Sequence, residues 1–474
     1  MKVIRNYLYN AGYQVLNLLV PFITVPYIAR ILGPRGVGIN SYTNSIITYF
    51  LLLGTLGITM YGNREIAYHR DNLEERSRIF WEIEFLQIIT ISFSYLLFLI
   101  FNSFQVQYKI YFLLQSIWIV SGAVNISWLF MGLEDFKKTV LRNILVKVVS
   151  LISIFLFVKT SHDVGTYIII LGLAQLLGNL TLWPYLPKVV QMPKFKYLNI
   201  FRHLKPTIIL FMPQIATQVY LQLNKTMLGQ FDTVTSSGYY DYADKLIKMT
   251  LAVITATGTV MLPHMSNLAA KGDMKKFNRS LYKSFDFVSF LAIPLAFGIA
   301  GIAGTLAPWY YGEKFSIVGQ LIVIEAPVAI LIGWSNVLGI QYLMPLNRIK
   351  EYTRSVTYGA VANIIVNIPL IIFYGVKGAI SATVIAELVV TGYQLWVVRK
   401  NVSFKSMFVN SWKYFLSAMI MFIIVFTINQ LMRISIISLG VQVIVGIFVY
   451  MVMLLILRAD ILKTGLQLIR KHFN

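Results

Sequence analysis

Four charged side chains crowd into eight positions of an otherwise apolar stretch: Asp241, Asp244, Lys245 and Lys248. On a helix, positions three and four apart are neighbours, so all four share one face. Asp241 with Lys245 and Asp244 with Lys248 form two i,i+4 pairs. Such pairs either neutralise each other or present charge to a water-filled cavity. Lys225 and Lys147 also lie inside apolar runs, with Arg142 and Arg354 nearer the ends of theirs. An ionisable group at membrane depth costs roughly 3 kcal/mol or more and usually faces a cavity or a partner. Cations so placed suit an anionic ligand, to which lysines offer point charge and Arg a planar, bidentate fork. Glu325 and Glu387 stand alone in apolar spans, as proton- or sodium-coupling groups or as structural partners of a lysine. Tyr239, Tyr240 and Tyr242 either stack on sugar rings or belong to an interfacial aromatic belt. Bond-breaking chemistry finds little support. The chain has no cysteine, no Asp-x-Asp, and five histidines without metal-ligand spacing, so neither a metal nor a cofactor is expected.

The elements that must carry these residues are set by composition. Hydrophobic residues make up 57% of the 474 and charged residues 13%, about half the charged share of a soluble domain. Ten stretches free of Asp, Glu, Lys and Arg reach nineteen residues or more, and four further apolar segments are interrupted by charge. A crossing helix needs about twenty apolar residues, so the sequence predicts an all-α membrane protein of about fourteen transmembrane helices. With the N-terminus inside, the inner segments hold 30 Lys and Arg and the outer loops 7. That asymmetry places both termini in the cytoplasm of a multi-pass cell-membrane protein. The net charge of +22 is therefore loop anchoring and no sign of a nucleic-acid partner. The longest connections, near 188–205 and 399–413, leave no room for a soluble catalytic domain.

The two halves echo each other about 200 residues apart. Leu32-Gly33, Gly38 and Tyr42 correspond to Leu228-Gly229, Gly238 and Tyr242; Arg142, Gly165 and Leu182-Trp183 correspond to Arg354, Gly378 and Leu395-Trp396. Each copy spans six helices, so the halves share one topology and pair about an axis along the membrane normal. The expected organisation is an N-lobe at 1–204 and a C-lobe at 205–400, two pseudo-symmetric six-helix bundles. Two further helices and a cytoplasmic tail follow at 401–474.

The motifs then become specific. Asn10-Ala11-Gly12, the run Pro26-Tyr27-Ile28-Ala29-Arg30-Ile31-Leu32-Gly33-Pro34 and Tyr61-Gly62-Asn63-Arg64-Glu65-Ile66-Ala67 open the first half. Asn224-Lys225-Thr226-Met227-Leu228-Gly229 and Ala243-Asp244-Lys245-Leu246 open the second. Together they resemble the Wzx-type polysaccharide flippases of the multidrug/oligosaccharidyl-lipid/polysaccharide exporter superfamily. The resemblance implies a non-enzymatic flippase moving undecaprenyl-pyrophosphate-linked oligosaccharides to the outer leaflet, for capsule, exopolysaccharide or related polymers. It implies membrane lipids as surroundings, H+ or Na+ as coupling ions, and a polysaccharide polymerase and glycosyltransferases as partners. Arg30 and Arg64 of the motifs join Lys225, Lys147, Lys245, Lys248, Arg142, Arg354, Tyr239 and Tyr242 as candidates to line the cavity. Glu387, Glu325, Asp241 and Asp244 are the coupling candidates. Lys225 departs from the family pattern, in which an acid is common at that position. A drug exporter of the same superfamily is the nearest alternative, although residues 6–29 lack the acid its first helix often carries. A membrane glycosyltransferase or polymerase is a more distant one.

Overall fold

In lipid, the backbone has no hydrogen-bond partner but itself, and these apolar runs fold accordingly. The computed structural model describes residues 2–192 and 195–462, and among them there is helix and no strand; the expected tail from 463 lies outside them. In the first half come α1 (Lys2–Thr55), α2 (Ile58–Tyr68), α3 (Leu73–Ser103), α4 (Lys109–Gln115), α5 (Ile117–Ala123), α6 (Ser127–Gly132), α7 (Phe136–Phe157) and α8 (Val164–Leu180). They are followed by α9 (Leu204–Phe231), α10 (Val234–Ala270), α11 (Met274–Tyr311), α12 (Ser316–Glu325), α13 (Pro327–Asn336), α14 (Ile349–Val398), α15 (Phe404–Met407), α16 (Ser411–Leu431) and α17 (Ile436–Ile456).

Ten helices among the described residues are long and apolar enough to cross a membrane, or eleven with the bent pair around Glu325 and Pro327 counted as one span. The sequence expects fourteen. The difference has a physical origin at two glycines. α1 is two helices joined at Gly33 (φ 66°) and α14 two joined at Gly375 (φ 55°), each break in a left-handed region that glycine enters without strain. The count also leaves out α9, parts of which carry no side-chain description.

Compactness divides the chain into two units, Met1–Gly238 and Tyr239–Asn474. The sequence-derived lobe boundary at 204/205 falls one helix earlier, and the intervening α9 packs with the first unit. Ser45 Oγ and Thr226 Oγ1 lie 2.8 Å apart, and Tyr42 covers Gly229 so closely that a Cβ there would fall 2.0 Å from the ring. The repeat-related glycines Gly38 and Gly238 meet directly: a Cβ on Gly238 would sit 2.8 Å from the Gly38 nitrogen. The core of this unit centres on Trp128, stacked on Phe80 at 5.3 Å, with Gly62 leaving space for the indole. α3 starts at a cap in which Asn72 accepts from the Glu75 amide at 3.1 Å.

In the second unit α11 is the central post, packed against α12, α13, α16 and α17. Buried polar bonds fasten the last two long helices to it. Asp286 accepts from Tyr414 Oη at 2.9 Å and Asn410 Nδ2 at 3.2 Å, and Tyr450 Oη donates to the Phe290 carbonyl at 3.0 Å. Between α13 and α14 the chain winds as a π-helix over Val337–Leu343, where Gln341 Oε1 accepts from Ser284 Oγ at 2.5 Å.

Candidate functional site

α10 brings its four charges together as the i,i+4 spacing requires. Lys245 Nζ lies 2.5 Å from Asp241 Oδ2 and Lys248 Nζ lies 2.6 Å from Asp244 Oδ2. The partners differ in exposure. The lysine side chains are 41% and 46% exposed, while Asp241 and Asp244 are 9% and 13% exposed. Enclosed carboxylates therefore hold ammonium groups that reach open space. An ammonium has three donors, so Lys248, held by one oxygen of Asp244, retains capacity for a second anion. Glu325, from α12, is fully buried beside this row and interacts electrostatically with Asp244 and Lys248. Neither of its oxygens receives a donor among the described residues. Glu387 is half-buried on α14 and its charge reaches Tyr352.

Tyr242 is 3% exposed, stacked on Tyr311 at 4.6 Å and on Phe315 at 5.3 Å. Lys245 Nζ also lies 5.1 Å from its ring centroid. The ring is used inside the protein and offers no open face to a sugar in this conformation. Tyr239, half-buried, meets Phe315 edge-on and donates to the Lys314 carbonyl at 3.3 Å. Arg354 is exposed and interacts with Glu351 on its own helix.

In the first unit Lys147 is half-buried within α7 and makes no hydrogen bond or ion pair among the described residues. Lys225 is half-buried on α9. Arg142 is held by asparagines: Nη1 donates to Asn179 Oδ1 at 2.6 Å and Nε to Asn143 Oδ1 at 3.0 Å. Asn179 in turn donates to the Ser121 carbonyl at 2.8 Å, so this arginine ties α7 and α8 to α5. Arg30 is exposed. Arg64 pairs with Glu65 at 3.1 Å and lies over the Tyr61 ring at 5.5 Å.

Two acids of α3 escape a reading based on charge-free runs. Glu82 is 1% exposed and receives four donors. Its Oε1 accepts from the Asn199 amide at 2.8 Å, and its Oε2 from Arg202 Nη2 at 2.5 Å, Arg202 Nε at 2.8 Å and His203 Nε2 at 2.8 Å. Tyr61 Oη lies 2.7 Å from His203 Nδ1. With Nε2–H donating to Glu82, Nδ1 is the acceptor and Tyr61 donates to it. Burial, foremost, holds the His203 imidazole below the usual histidine range, while the hydrogen bond to Glu82 opposes that shift. The network closes the turn at 199–203 onto α2 and α3. Glu84, two residues on, points away from it and is fully buried with both oxygens outside hydrogen-bond reach of any described donor.

Residues 3–269, more than half of the chain, match the family described as polysaccharide biosynthesis protein. The chain belongs to that family. It is similar to a protein named for O-antigen transport in Escherichia coli (strain K12), 24% identical over 404 residues, covering 84% of this chain and 97% of the relative. Its fold is that of the lipid II flippase MurJ in an inward closed conformation, with a TM-score of 0.74 at 20% identity over 97% of this chain and 100% of that one. An inward-facing multidrug resistance transporter of the MATE family, in the MOP superfamily, aligns with a TM-score of 0.59 at 11% identity, covering 81% of this chain and all of that one. The chain is thus a multi-pass membrane protein of the MOP-type helical fold.

Proposed function

We propose that this family member is a flippase for lipid-linked oligosaccharides, carrying undecaprenyl-pyrophosphate-linked repeat units from the cytoplasmic to the outer leaflet for cell-surface polysaccharide synthesis. The observation that carries the reading is the row on α10, where buried aspartates hold lysine heads in open space at membrane depth. A pyrophosphate leaving water needs replacement charge, and Lys245, Lys248, Lys147 and Lys225 are the cations within apolar segments that supply it. The likeness to a transporter named for O-antigen over nearly its whole length supports the same cargo class.

On this reading the cargo enters from the side richer in Lys and Arg, with both termini in the cytoplasm. The lobes 1–204 and 205–400 rock to expose the cations to each side in turn, and the helices of 401–474 accompany the second lobe. Lysines in exposed loops collect anionic lipid but are screened within about 10 Å, so only the deep cations act on the crossing headgroup. Glu387, Glu325, Asp241 and Asp244 are the groups through which H+ or Na+ would enter. A polymerase and glycosyltransferases would act on the cargo before and after it crosses.

The test is a reconstituted vesicle assay with a fluorescent lipid-linked oligosaccharide whose outer-leaflet copies are quenched or cleaved. The chain should speed equilibration between leaflets well above protein-free vesicles. No acceleration, with a cationic drug exported by the same vesicles, would establish instead the exporter reading that the likeness to the multidrug transporter favours.

A further inference from the structure

We propose that Glu84 is a proton-binding site in the first unit, loaded in the conformation seen here and emptied when the unit opens to water. Glu84 is fully buried and neither carboxylate oxygen has a donor. It lies about 16 Å along α3 from Leu73, on the stripe of Phe80, Gln87, Ile91 and Ser94, all buried. A bare carboxylate enclosed this way carries the full cost of lost hydration, and the neutral acid is the form such an enclosure holds.

The elements packed against α3 are α1, α2, α4, α5 and the turn at 200–203. Of their titratable groups, Tyr61, His203 and Arg202 are bound into the Glu82 network and Arg64 pairs with Glu65. Tyr49 of α1 accepts from Thr226, and α4 contributes Lys109. Burial is the sole influence on Glu84 among the described residues. Glu82 lies two positions away, roughly 200° around the helix, with its own donors. Glu325 likewise receives no donor from the described residues, but the Lys248 charge reaches it; no cation reaches Glu84.

Trp128, fully buried and stacked on Phe80 at 5.3 Å, closes the α3 stripe one turn before Glu84. The acid gives its proton to water entering from one side, and the carboxylate then accepts from that water. Reprotonation from the other side restores the closed form. One proton bound and released per conformational cycle is the coupling this allows.

The inference rests on the transport reading for its use, although the proton site is measurable without it. Full-length protein in vesicles should show, by infrared spectroscopy, the carbonyl band of a protonated carboxylic acid that is lost in Glu84→Gln. An unchanged band overturns the site. For one proton per cargo, a pH gradient of one unit shifts the leaflet ratio of lipid-linked oligosaccharide up to about tenfold. Glu84→Gln should keep equilibrating cargo with that shift abolished, and a variant still following the gradient overturns the coupling. Should the amide fail to insert, Glu84→Met, similar in volume and apolar, gives the same two readouts. A wild-type protein with the band but no cargo movement retains the proton site and overturns the flippase reading instead.

Discussion

The two units treat buried charge in opposite ways. In the second, each aspartate of α10 has a lysine one turn later, and Glu325 packs beside the same row. In the first, Glu82 gathers four donors, whereas Glu84 has none and Lys147 makes no ion pair among the described residues. Paired charges on one helix are neutralised locally, whatever the surrounding helices do, so they survive a change of conformation. A solitary charge is stabilised only by what arrives from outside, whether proton, water or cargo. The second unit is thus built to display cations continuously, and the first to respond to what reaches it.

The comparison breaks most severely at Glu82. Glu82→Ala leaves the enclosed His203 and the part-exposed Arg202 without their acceptor, a change that costs about 3 kcal/mol, the lower end for a buried pair because Arg202 still reaches water. We expect the thermal midpoint of the detergent-solubilised protein to fall by many degrees, while Glu84→Gln leaves it nearly unchanged. Equal losses in both variants would mean that the network is no stronger a fastening than an isolated acid.

Next in size are the deep lysines of the first unit. A charged hydrogen bond contributes about 1.5–3 kcal/mol, so Lys147→Gln or Lys225→Gln should slow cargo movement roughly ten- to hundredfold at unchanged protein level. Lys271→Gln, in the turn after α10, and Lys275→Gln, exposed in the first turn of α11, should stay within about twofold. Loop and deep lysines that prove equally dispensable would remove the anionic-cargo mechanism.

The α10 pairs sharpen the contrast at smaller magnitude. Asp241→Asn or Lys245→Gln alone removes the i,i+4 partner of a half-enclosed charge and should destabilise by about 1–3 kcal/mol. The double variant should recover most of that stability, because the row loses both signs at once. Cargo movement should remain depressed in the double variant, which separates the cation's work on the cargo from its work on the fold. Additive stability losses would show that the pair does not act as a unit.

How much of this was legible in the sequence follows from the range of the interaction. The α10 pairs were readable because i,i+4 geometry is local, and the structure forms both. The helical membrane fold was readable because apolar length alone requires it. Glu82 was not, because Arg202 and His203 lie about 120 residues away and only the folded turn at 199–203 delivers them. Glu84 was missed for a related reason. Counting charge-free runs makes an acid the end of a span, although the helical stripe from Phe80 to Ser94 continues through it. For Tyr242 the sequence left a sugar platform and an interfacial belt open, and it could not show that Tyr311 and Phe315, some seventy residues on, stack on the ring. The kinks at Gly33 and Gly375 fall at, or within two residues of, the breaks between apolar runs, so the sequence separates spans that an unbroken helical assignment joins.

The smallest effect concerns His203, on which opposing influences act. Burial disfavours the imidazolium, and Arg202 adds to that, while the hydrogen bond and charge of Glu82 favour it. Burial prevails, so the folded chain holds His203 below the ordinary histidine value of about 6.5 that the unfolded chain retains. A depressed histidine binds fewer protons folded than unfolded, so its contribution to stability is present in full above 6.5. That contribution falls away as pH drops from 6.5 through the folded value. Protonation would also put a hydrogen on Nδ1, which now accepts from Tyr61, so the hydroxyl would have to turn and find another acceptor. The wild-type thermal midpoint should therefore decline between pH 7.5 and 5.5 more steeply than that of His203→Gln, which keeps a donor for Glu82 but cannot titrate. Tyr61→Phe should lower stability at neutral pH and reduce the slope, because the bond that protonation reverses is already gone. Parallel pH profiles for all three proteins would show that the turn at 199–203 is fastened by Arg202 alone, and that the first unit's response to pH belongs to Glu84.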